Sequence, residues 1–194
     1  MEAGERWMLM TIDRDEEGNP TNAAYKWDSK KQQFRNTYDA LRRPAETYLK
    51  AENIEGENAE KLVEAIRYGE DAENPTQHNL RGQIHTISDQ AGKLTHVAYD
   101  FKGNLLKETR EFAKEYKDTL NWDKDPALEE EQFTTTAAFD ALDRPVKQKT
   151  PDSKVTQNFY NRTGLLRQVK LTGLTDGDKD IVKDIIYDAQ GRRK

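Results

Sequence analysis

The sequence predicts a mainly β fold in which antiparallel β-hairpin repeats form a curved sheet, with one or two short helical excursions. Three observations support this prediction. An aromatic residue followed by Asp or Asn recurs along the chain, several of these pairs precede a turn signature that ends in Gly, and the segments after the turns carry apolar and β-branched residues at the spacing of strands. We refer to the recurring feature as the aromatic-Asx pair.

The aromatic-Asx pair occurs more often than composition explains. Asp and Asn make up 29 of 194 residues, so chance would place one after about 2.5 of the 17 aromatic residues, whereas seven are found. The pairs are Trp27-Asp28, Tyr38-Asp39, Tyr99-Asp100, Trp122-Asp123, Phe139-Asp140, Tyr160-Asn161 and Tyr187-Asp188. The excess indicates an internal repeat.

In three pairs, a Gly stands three positions after the Asp or Asn. A type I turn favours Asp or Asn at its first position, where the side chain bonds the backbone two residues on, and Gly at its fourth, where φ can be positive. These glycines are Gly103, Gly164 and Gly191, and the spacing recurs without the aromatic residue in Asp15 with Gly18 and Asp89 with Gly92. Each repeat is therefore predicted to be a strand, a turn and a strand.

The aromatic residue of each pair is predicted to stabilise the contact between neighbouring repeats. Placed at the end of a strand, it is expected to stack on its counterpart in the next repeat, and cross-strand pairs of this kind contribute roughly 0.2–1 kcal/mol each. The Asp or Asn beside it fixes the turn. Because repeats stabilise one another as nearest neighbours, one repeat alone is not expected to fold.

We predict one continuous repeat region over residues 1–194, with interruptions near 53–68 and 107–131. The first interruption fits a helix capped at Asn58, with Leu62, Val63 and Ile66 on one face, and equally a strand in which Leu62, Glu64, Ile66 and Tyr68 alternate. The second is rich in charged residues and indicates a surface excursion with helical turns.

Composition excludes several classes of function. Leu, Ile, Val and Phe account for only 35 of 194 residues, and the 31 basic and 36 acidic residues are interspersed, with a net charge of -5. This pattern is typical of a solvated surface of mixed sign and argues against nucleic-acid binding. The absence of cysteine excludes disulfides. No secretory signal is expected from the first residues, and no apolar stretch is long enough to span a membrane.

No residue pattern predicts an enzyme, a cofactor or a metal site. The three histidines, His78, His85 and His96, are too few and too dispersed for a zinc site, which normally needs three or four convergent ligands. The acidic run Asp176–Asp180 departs from a calcium loop at Ile181 and Tyr187, where Gly and Glu are required. Both features are predicted to be ordinary surface groups.

The order of these motifs resembles the Rhs-repeat, or YD-repeat, region of the B subunits of bacterial toxin complexes, which are insecticidal, and of related SpvB-like proteins. The resemblance covers nearly all of the chain and rests on an ordered series of motifs. The most specific are Tyr38-Asp39-Ala40-Leu41-Arg42-Arg43-Pro44, Tyr68-Gly69-Glu70, Tyr99-Asp100-Phe101-Lys102-Gly103, Phe139-Asp140-Ala141-Leu142-Asp143-Arg144-Pro145 and Tyr187-Asp188-Ala189-Gln190-Gly191.

The resemblance implies a structural role. In that family, Rhs repeats wind into a hollow β-sheet shell that encloses a toxic C-terminal polypeptide. The implied partners are other repeats of the shell, a toxin C subunit and a translocation channel, and the implied location is outside the producing cell, as part of a larger bacterial protein. This sequence lacks the family's propeller region, self-cleaving aspartate motif and toxin domain, so encapsulation is expected of the parent protein. The alternative is an interaction module that binds carbohydrate or another cell-surface ligand through exposed Tyr and Trp.

The residues assigned to the structural repeat motif are those of six aromatic-Asx pairs and the three turn glycines. They are Trp27, Asp28, Tyr38, Asp39, Tyr99, Asp100, Gly103, Phe139, Asp140, Tyr160, Asn161, Gly164, Tyr187, Asp188 and Gly191.

Overall fold

The structure, a computed structural model, describes residues 9–14, 20–28, 32–50 and 60–194. This part of the chain is mainly antiparallel β, with two short 3₁₀ turns at Gly69–Asp71 and Trp122–Lys124, as the sequence predicts. The strands are β1 Leu9–Arg14, β2 Pro20–Trp27, β3 Gln33–Tyr38, β4 Pro44–Lys50, β5 Glu60–Tyr68, β6 Ile84–Asp89, β7 Gly92–Tyr99, β8 Leu105–Ala113, β9 Leu128–Phe139, β10 Pro145–Lys149, β11 Val155–Tyr160, β12 Leu166–Thr172 and β13 Lys179–Val182.

The chain forms two compact units. The first comprises the described residues within 1–73, 81–95 and 110–132. In it, strands β1 to β6 and the start of β7 lie side by side in chain order, each antiparallel to the next. Its buried apolar residues among those described are Ala24, Leu62, Ala65 and Leu120. This is a small core, as the low content of aliphatic residues predicts.

The second unit comprises residues 74–80, 96–109 and 133–194. From the C-terminal part of β9 to β13, its strands again follow chain order and pair antiparallel. Leu80 and Tyr99 are its buried apolar residues in the described part. Each hairpin therefore contacts chiefly the hairpins before and after it in the sequence, as in other repeat proteins.

The first predicted interruption is a strand, and the helix alternative is wrong for residues 60–68. In β5, Leu62 and Ala65 are both buried although they are three positions apart, which is the spacing of a helix. The register explains this spacing: Tyr48 of β4 pairs with Leu62 and the preceding residue, Thr47, pairs with Glu64, so Val63 is an extra residue. Such a bulge shifts the alternation of side chains by one position. The predicted helix cap, Asn58, lies outside the described residues.

The second predicted interruption is shorter than expected. Strand β8 continues to Ala113 and β9 begins at Leu128, so residues 114–127 form the excursion. The predicted helical turn is the single 3₁₀ turn at Trp122–Lys124. None of the helical segments in the described ranges has the length and hydrophobicity needed to cross a bilayer.

Candidate functional site

The turns that follow the aromatic-Asx pairs share one hydrogen-bond pattern. In the turn at Asp140, the Asp140 amide donates to the Arg144 carbonyl (3.0 Å) and the Asp143 amide donates to the Asp140 carbonyl (3.0 Å). The Asp140 Oδ1 accepts from the amides of Leu142 (2.9 Å) and Arg144 (3.1 Å). The same four bonds form in the turns that begin at Asp39, Asp100, Asn161 and Asp188. One Asp or Asn side chain therefore closes each of five turns.

The residue three positions after the Asp or Asn adopts a left-handed conformation. Gly103, Gly164 and Gly191, the three turn glycines of the sequence motif, have φ of 88°, 85° and 78°. Arg42 and Asp143 take the same position with φ of 61° and 60°. The pairing register shifts at this point, as expected of a hairpin loop that ends in a left-handed bulge residue.

A second bond reinforces most of these turns. The residue four positions after the Asp donates a side-chain N–H to the second carboxylate oxygen, at 2.7 Å for Arg43, Arg144 and Arg192 and at 2.9 Å for Asn104. The bond from the Arg144 side chain has the largest effect on the pKa of Asp140 and, together with the backbone amides of Arg144 and Leu142, holds this pKa below its usual value despite desolvation. The pKa of Asp100 is lowered chiefly by the Asn104 side chain, and the pKa of Asp188 by the backbone amide and then the side chain of Arg192. These bonds therefore favour the ionised carboxylate.

The lowered pKa values predict a loss of stability in acid. Because the folded-state pKa of Asp140 lies below that of the unfolded chain, its contribution is present above about pH 4 and is lost as the pH falls through the folded value. Asp140→Asn should retain an Oδ1 acceptor, as Asn161 does, and lose the ion pair with Arg144. We expect this variant to be less stable than the wild type at pH 7 and equally stable near pH 2. Urea unfolding midpoints at both pH values test this, and a constant difference would contradict it.

Tyrosine side chains connect consecutive hairpins. The Tyr160 hydroxyl, at the end of β11, donates to the Pro145 carbonyl (2.9 Å), and its ring lies 4.3 Å from the Arg144 guanidinium carbon. The Tyr68 hydroxyl donates to the Pro44 carbonyl (3.1 Å), and its ring lies 3.7 Å from the same atom of Arg43. The Tyr187 hydroxyl donates to the Leu166 carbonyl (2.7 Å). At Tyr160 and Tyr187, the contact differs from the predicted stacking of ring on ring. All three hydroxyls bond to the backbone of the preceding hairpin, and Tyr68 and Tyr160 also contact its arginine.

The remaining aromatic residues of the motif differ in their surroundings. Tyr38 and Phe139 end β3 and β9, in the predicted position, although Phe139 has no hydroxyl to donate. Tyr99 is buried at the end of β7, and its hydroxyl lies 2.6 Å from His96 Nδ1. Burial, followed by the charge of Glu108, raises the pKa of Tyr99 to about 12.

Two aromatic-Asx pairs differ from the others in their position. Trp27 ends β2, an even-numbered strand. The other pairs that precede a hairpin turn lie at the ends of odd-numbered strands, except Tyr187-Asp188, which lies after β13. Trp27 stacks on Tyr25, and Asp28 Oδ1 accepts the Gln32 amide (3.0 Å). Trp122-Asp123 lies in the 3₁₀ turn, and the Trp122 indole donates to the Asp89 carbonyl (3.1 Å). Trp122-Asp123 therefore does not belong to a hairpin of the repeat.

The Trp122 contact belongs to an anchor that the sequence analysis missed. Asn121 Oδ1 accepts the Leu62 amide (3.0 Å) beside the bulge in β5, and Leu120 is buried. The Gln90 side chain accepts the Leu120 amide (2.8 Å) and donates to the carbonyl of the bulge residue, Val63 (2.9 Å). The loop 114–127 is thus fixed onto β5 by polar groups that carry no periodic signal.

The other residues that the sequence analysis missed are the arginines and Tyr68. An Arg follows the Asp by four positions in Asp39–Arg43, Asp140–Arg144 and Asp188–Arg192, so this spacing could have identified them. Tyr68 is followed by Gly69 and therefore escaped the aromatic-Asx search. In the described residues, no group of three or more His, Asp or Glu is placed to hold a metal ion.

Comparisons with known proteins locate the chain by fold. No family model matches the sequence, and no curated protein matches it. Among solved structures, it is similar to the crystal structure of TcdB2-TccC3 (TM-score 0.78) and to the TcdB2-TccC3-TEV structure (TM-score 0.77), each at 19% identity over 95% of this chain. The Photorhabdus luminescens Tc holotoxin pore structure gives a TM-score of 0.78 at the same identity and coverage.

This chain spans 9% of the length of each of those matched chains. The series of antiparallel hairpins described above is therefore a fold that the chain shares with part of the Tc toxin structures.

Proposed function

We propose that the chain is a non-enzymatic wall segment of an Rhs-repeat shell, which in a larger toxin-complex-like protein encapsulates a C-terminal toxic polypeptide. The observation that carries the proposal is the repeated bond from a tyrosine hydroxyl to the backbone of the preceding hairpin, at Tyr68, Tyr160 and Tyr187. Each such contact is local, so hairpins can be added without limit in one direction. A wall needs this property, and the shared fold with Tc toxin structures supports it.

The distribution of burial also supports a wall. All residues of β3 and of β6 are partly buried, so neither strand alternates between a dry and a wet face. No polar or charged residue is buried among those described. A sheet of this kind is thin and tolerates solvent on both sides, as a partition between two aqueous compartments requires.

The proposed partners and location follow from the same role. Neighbouring repeats of the shell would contact the edge strands, and a toxin C subunit and a translocation channel would contact the assembled parent protein. The parent protein would act after export from the bacterium.

Limited proteolysis of the full-length parent polypeptide tests the proposal. If the segment forms part of a closed wall, the polypeptide that follows the repeats should resist a protease that digests the same polypeptide when it is produced alone. The double variant Arg144→Ala with Tyr160→Ala should restore digestion by opening a contact between hairpins. Equal digestion rates in the parent and in isolation would refute encapsulation.

Carbohydrate binding is the second candidate, and the stacked pair of Tyr25 and Trp27 favours it. Their ring centroids lie 6.1 Å apart with an interplanar angle of 25°, and both side chains are partly exposed on β2. Aromatic faces of this kind suit sugar rings. If the protein binds glycans, Trp27→Ala should abolish the signal on a glycan array. Trp122→Phe, which changes an aromatic residue outside the Tyr25–Trp27 pair, should retain it. Absence of any glycan signal would argue against carbohydrate binding and for the wall.

A further inference from the structure

The acceptor of each connecting tyrosine occupies a fixed position in the preceding turn. The acceptor carbonyl belongs to the residue five positions after the Asp or Asn that closes the turn. It is Pro44 after Asp39, Pro145 after Asp140 and Leu166 after Asn161. The three contacts obey one rule although the acceptor residue is proline in two and leucine in the third, so the rule is a property of the backbone.

Where the fourth residue is arginine, the same tyrosine also covers its guanidinium group. The Tyr68 ring lies against Arg43 and the Tyr160 ring against Arg144, at 3.7 and 4.3 Å from the guanidinium carbon. Each guanidinium is held in place beforehand by its bond to the turn aspartate, Asp39 or Asp140. The side chains of Arg43 and Arg144 are accordingly only 23% and 27% exposed.

The last turn, which begins at Asp188, has the same bonds between the aspartate and the arginine, but among the residues that the structure describes no tyrosine ring lies against this arginine. The Asp188 amide donates to the Arg192 carbonyl (2.9 Å), and Arg192 Nε donates to Asp188 Oδ2 (2.7 Å). Tyr187 forms an antiparallel β-bridge with Arg193, which lies five positions after Asp188. The Arg192 side chain is 74% exposed, and within the described ranges no aromatic ring lies against it.

We propose that Arg192 and the Arg193 carbonyl form a docking site for the tyrosine of another repeat hairpin, at the end of a strand and followed by Asp or Asn. The inference rests on the proposed function and names the partner of this surface. The ring would cover the Arg192 guanidinium through a cation–π contact, and the hydroxyl would donate to the Arg193 carbonyl. Because Asp188 already orients the guanidinium, little side-chain freedom is lost on docking.

The chemistry of the site selects this occupant. Phenylalanine would cover the guanidinium but has no donor for the carbonyl, whereas a tyrosine hydroxyl reaches the equivalent carbonyl at all three internal contacts. The partner is therefore a hairpin of the Tyr160-Asn161 type from another repeat.

A duplicated hairpin tests the docking site in the full chain. A copy of residues 147–164 is appended after Lys194, which places a copy of Tyr160 beside Arg193. In the NMR spectrum of the extended protein, the Arg192 Nε–H resonance should move upfield through the ring current and should return when the copied tyrosine is changed to Ala. An unmoved resonance would overturn the proposal.

A double-mutant cycle distinguishes this contact from a general effect on stability. Arg192→Lys keeps the charge and removes the planar stacking surface. In the extended protein, Arg192→Lys and Tyr→Ala at the copied tyrosine should each lower the thermal midpoint, and the double variant should fall by less than the two shifts together. Additive shifts would overturn the proposal. Arg167→Lys serves as the matched control, because Arg167 is 62% exposed, is bound to Asp184 and should be additive.

The equivalent internal cycle separates the inference from the proposed function. Arg144→Lys with Tyr160→Ala should be non-additive in the unextended chain. If this internal pair is coupled and the Arg192 pair is not, the docking site is refuted while the wall stands. If neither pair is coupled, tyrosines do not join the hairpins and the proposed function fails as well.

Discussion

Leu80→Ala is expected to lower the free energy of unfolding by about 2–5 kcal/mol, which is the range for truncating a buried leucine. Leu80 is only 2% exposed and has the largest fully buried side chain in the described part of the chain. It ends a loop that bonds to the end of β7: the Tyr99 amide donates to the His78 carbonyl (3.0 Å), and Asn79 Nδ2 donates to the Tyr99 carbonyl (2.9 Å).

Urea-induced unfolding of the purified protein measures this loss. The matched control is Leu142→Ala, in which the same side chain is removed from a turn where it is 69% exposed. A substitution at such a surface position is expected to change stability by less than about 0.5 kcal/mol. Similar losses at the two positions would show that Leu80 does not anchor a core.

Gly92→Ala should destabilise the protein by about 3 kcal/mol or more, through overpacking and backbone strain together. Gly92 starts β7 with φ of +134°, which disfavours any side chain. A Cβ atom there would overlap the Glu111 carbonyl oxygen and crowd the Ala113 amide nitrogen at 2.8 Å. Since these are backbone atoms of β8, no change of rotamer relieves the overlap.

Gly82→Ala isolates the contribution of backbone conformation. Gly82 has φ of +76°, and a Cβ atom there would meet nothing within 4 Å. A left-handed alanine costs about 1–2 kcal/mol. Thermal unfolding of both variants should therefore show a clearly larger drop for Gly92→Ala. Equal drops would mean that β8 yields and that the contact with Gly92 is not rigid.

The fold class and the turns could be predicted from the sequence because both depend on local chemistry. Asp and Asn close turns with bonds to amides two and four residues away, and such spacing is visible in the sequence. The ambiguity between helix and strand at β5 has a local cause as well. The extra residue Val63 places Leu62 and Ala65 three positions apart on the buried side, so a bulged strand shows the periodicity of a helix.

Contacts between repeats could not be predicted in detail because they are made across strands. The tyrosine hydroxyl donates to a carbonyl fifteen residues away in the case of Tyr160 and Pro145, and twenty-one residues away in the case of Tyr187 and Leu166. Carbonyls are present at every residue, so the acceptor has no signature of its own. The anchoring of loop 114–127 by Asn121 and Gln90 likewise has no recognisable pattern in the sequence.

The use of a main-chain acceptor determines which side chains can be substituted. Because the tyrosine hydroxyl bonds to a backbone oxygen, the residue that supplies this oxygen can change freely, and it is proline in two hairpins and leucine in a third. The contact requires only a tyrosine and the turn-closing Asp or Asn. Most other side chains of a hairpin can therefore be replaced while the contact between hairpins persists.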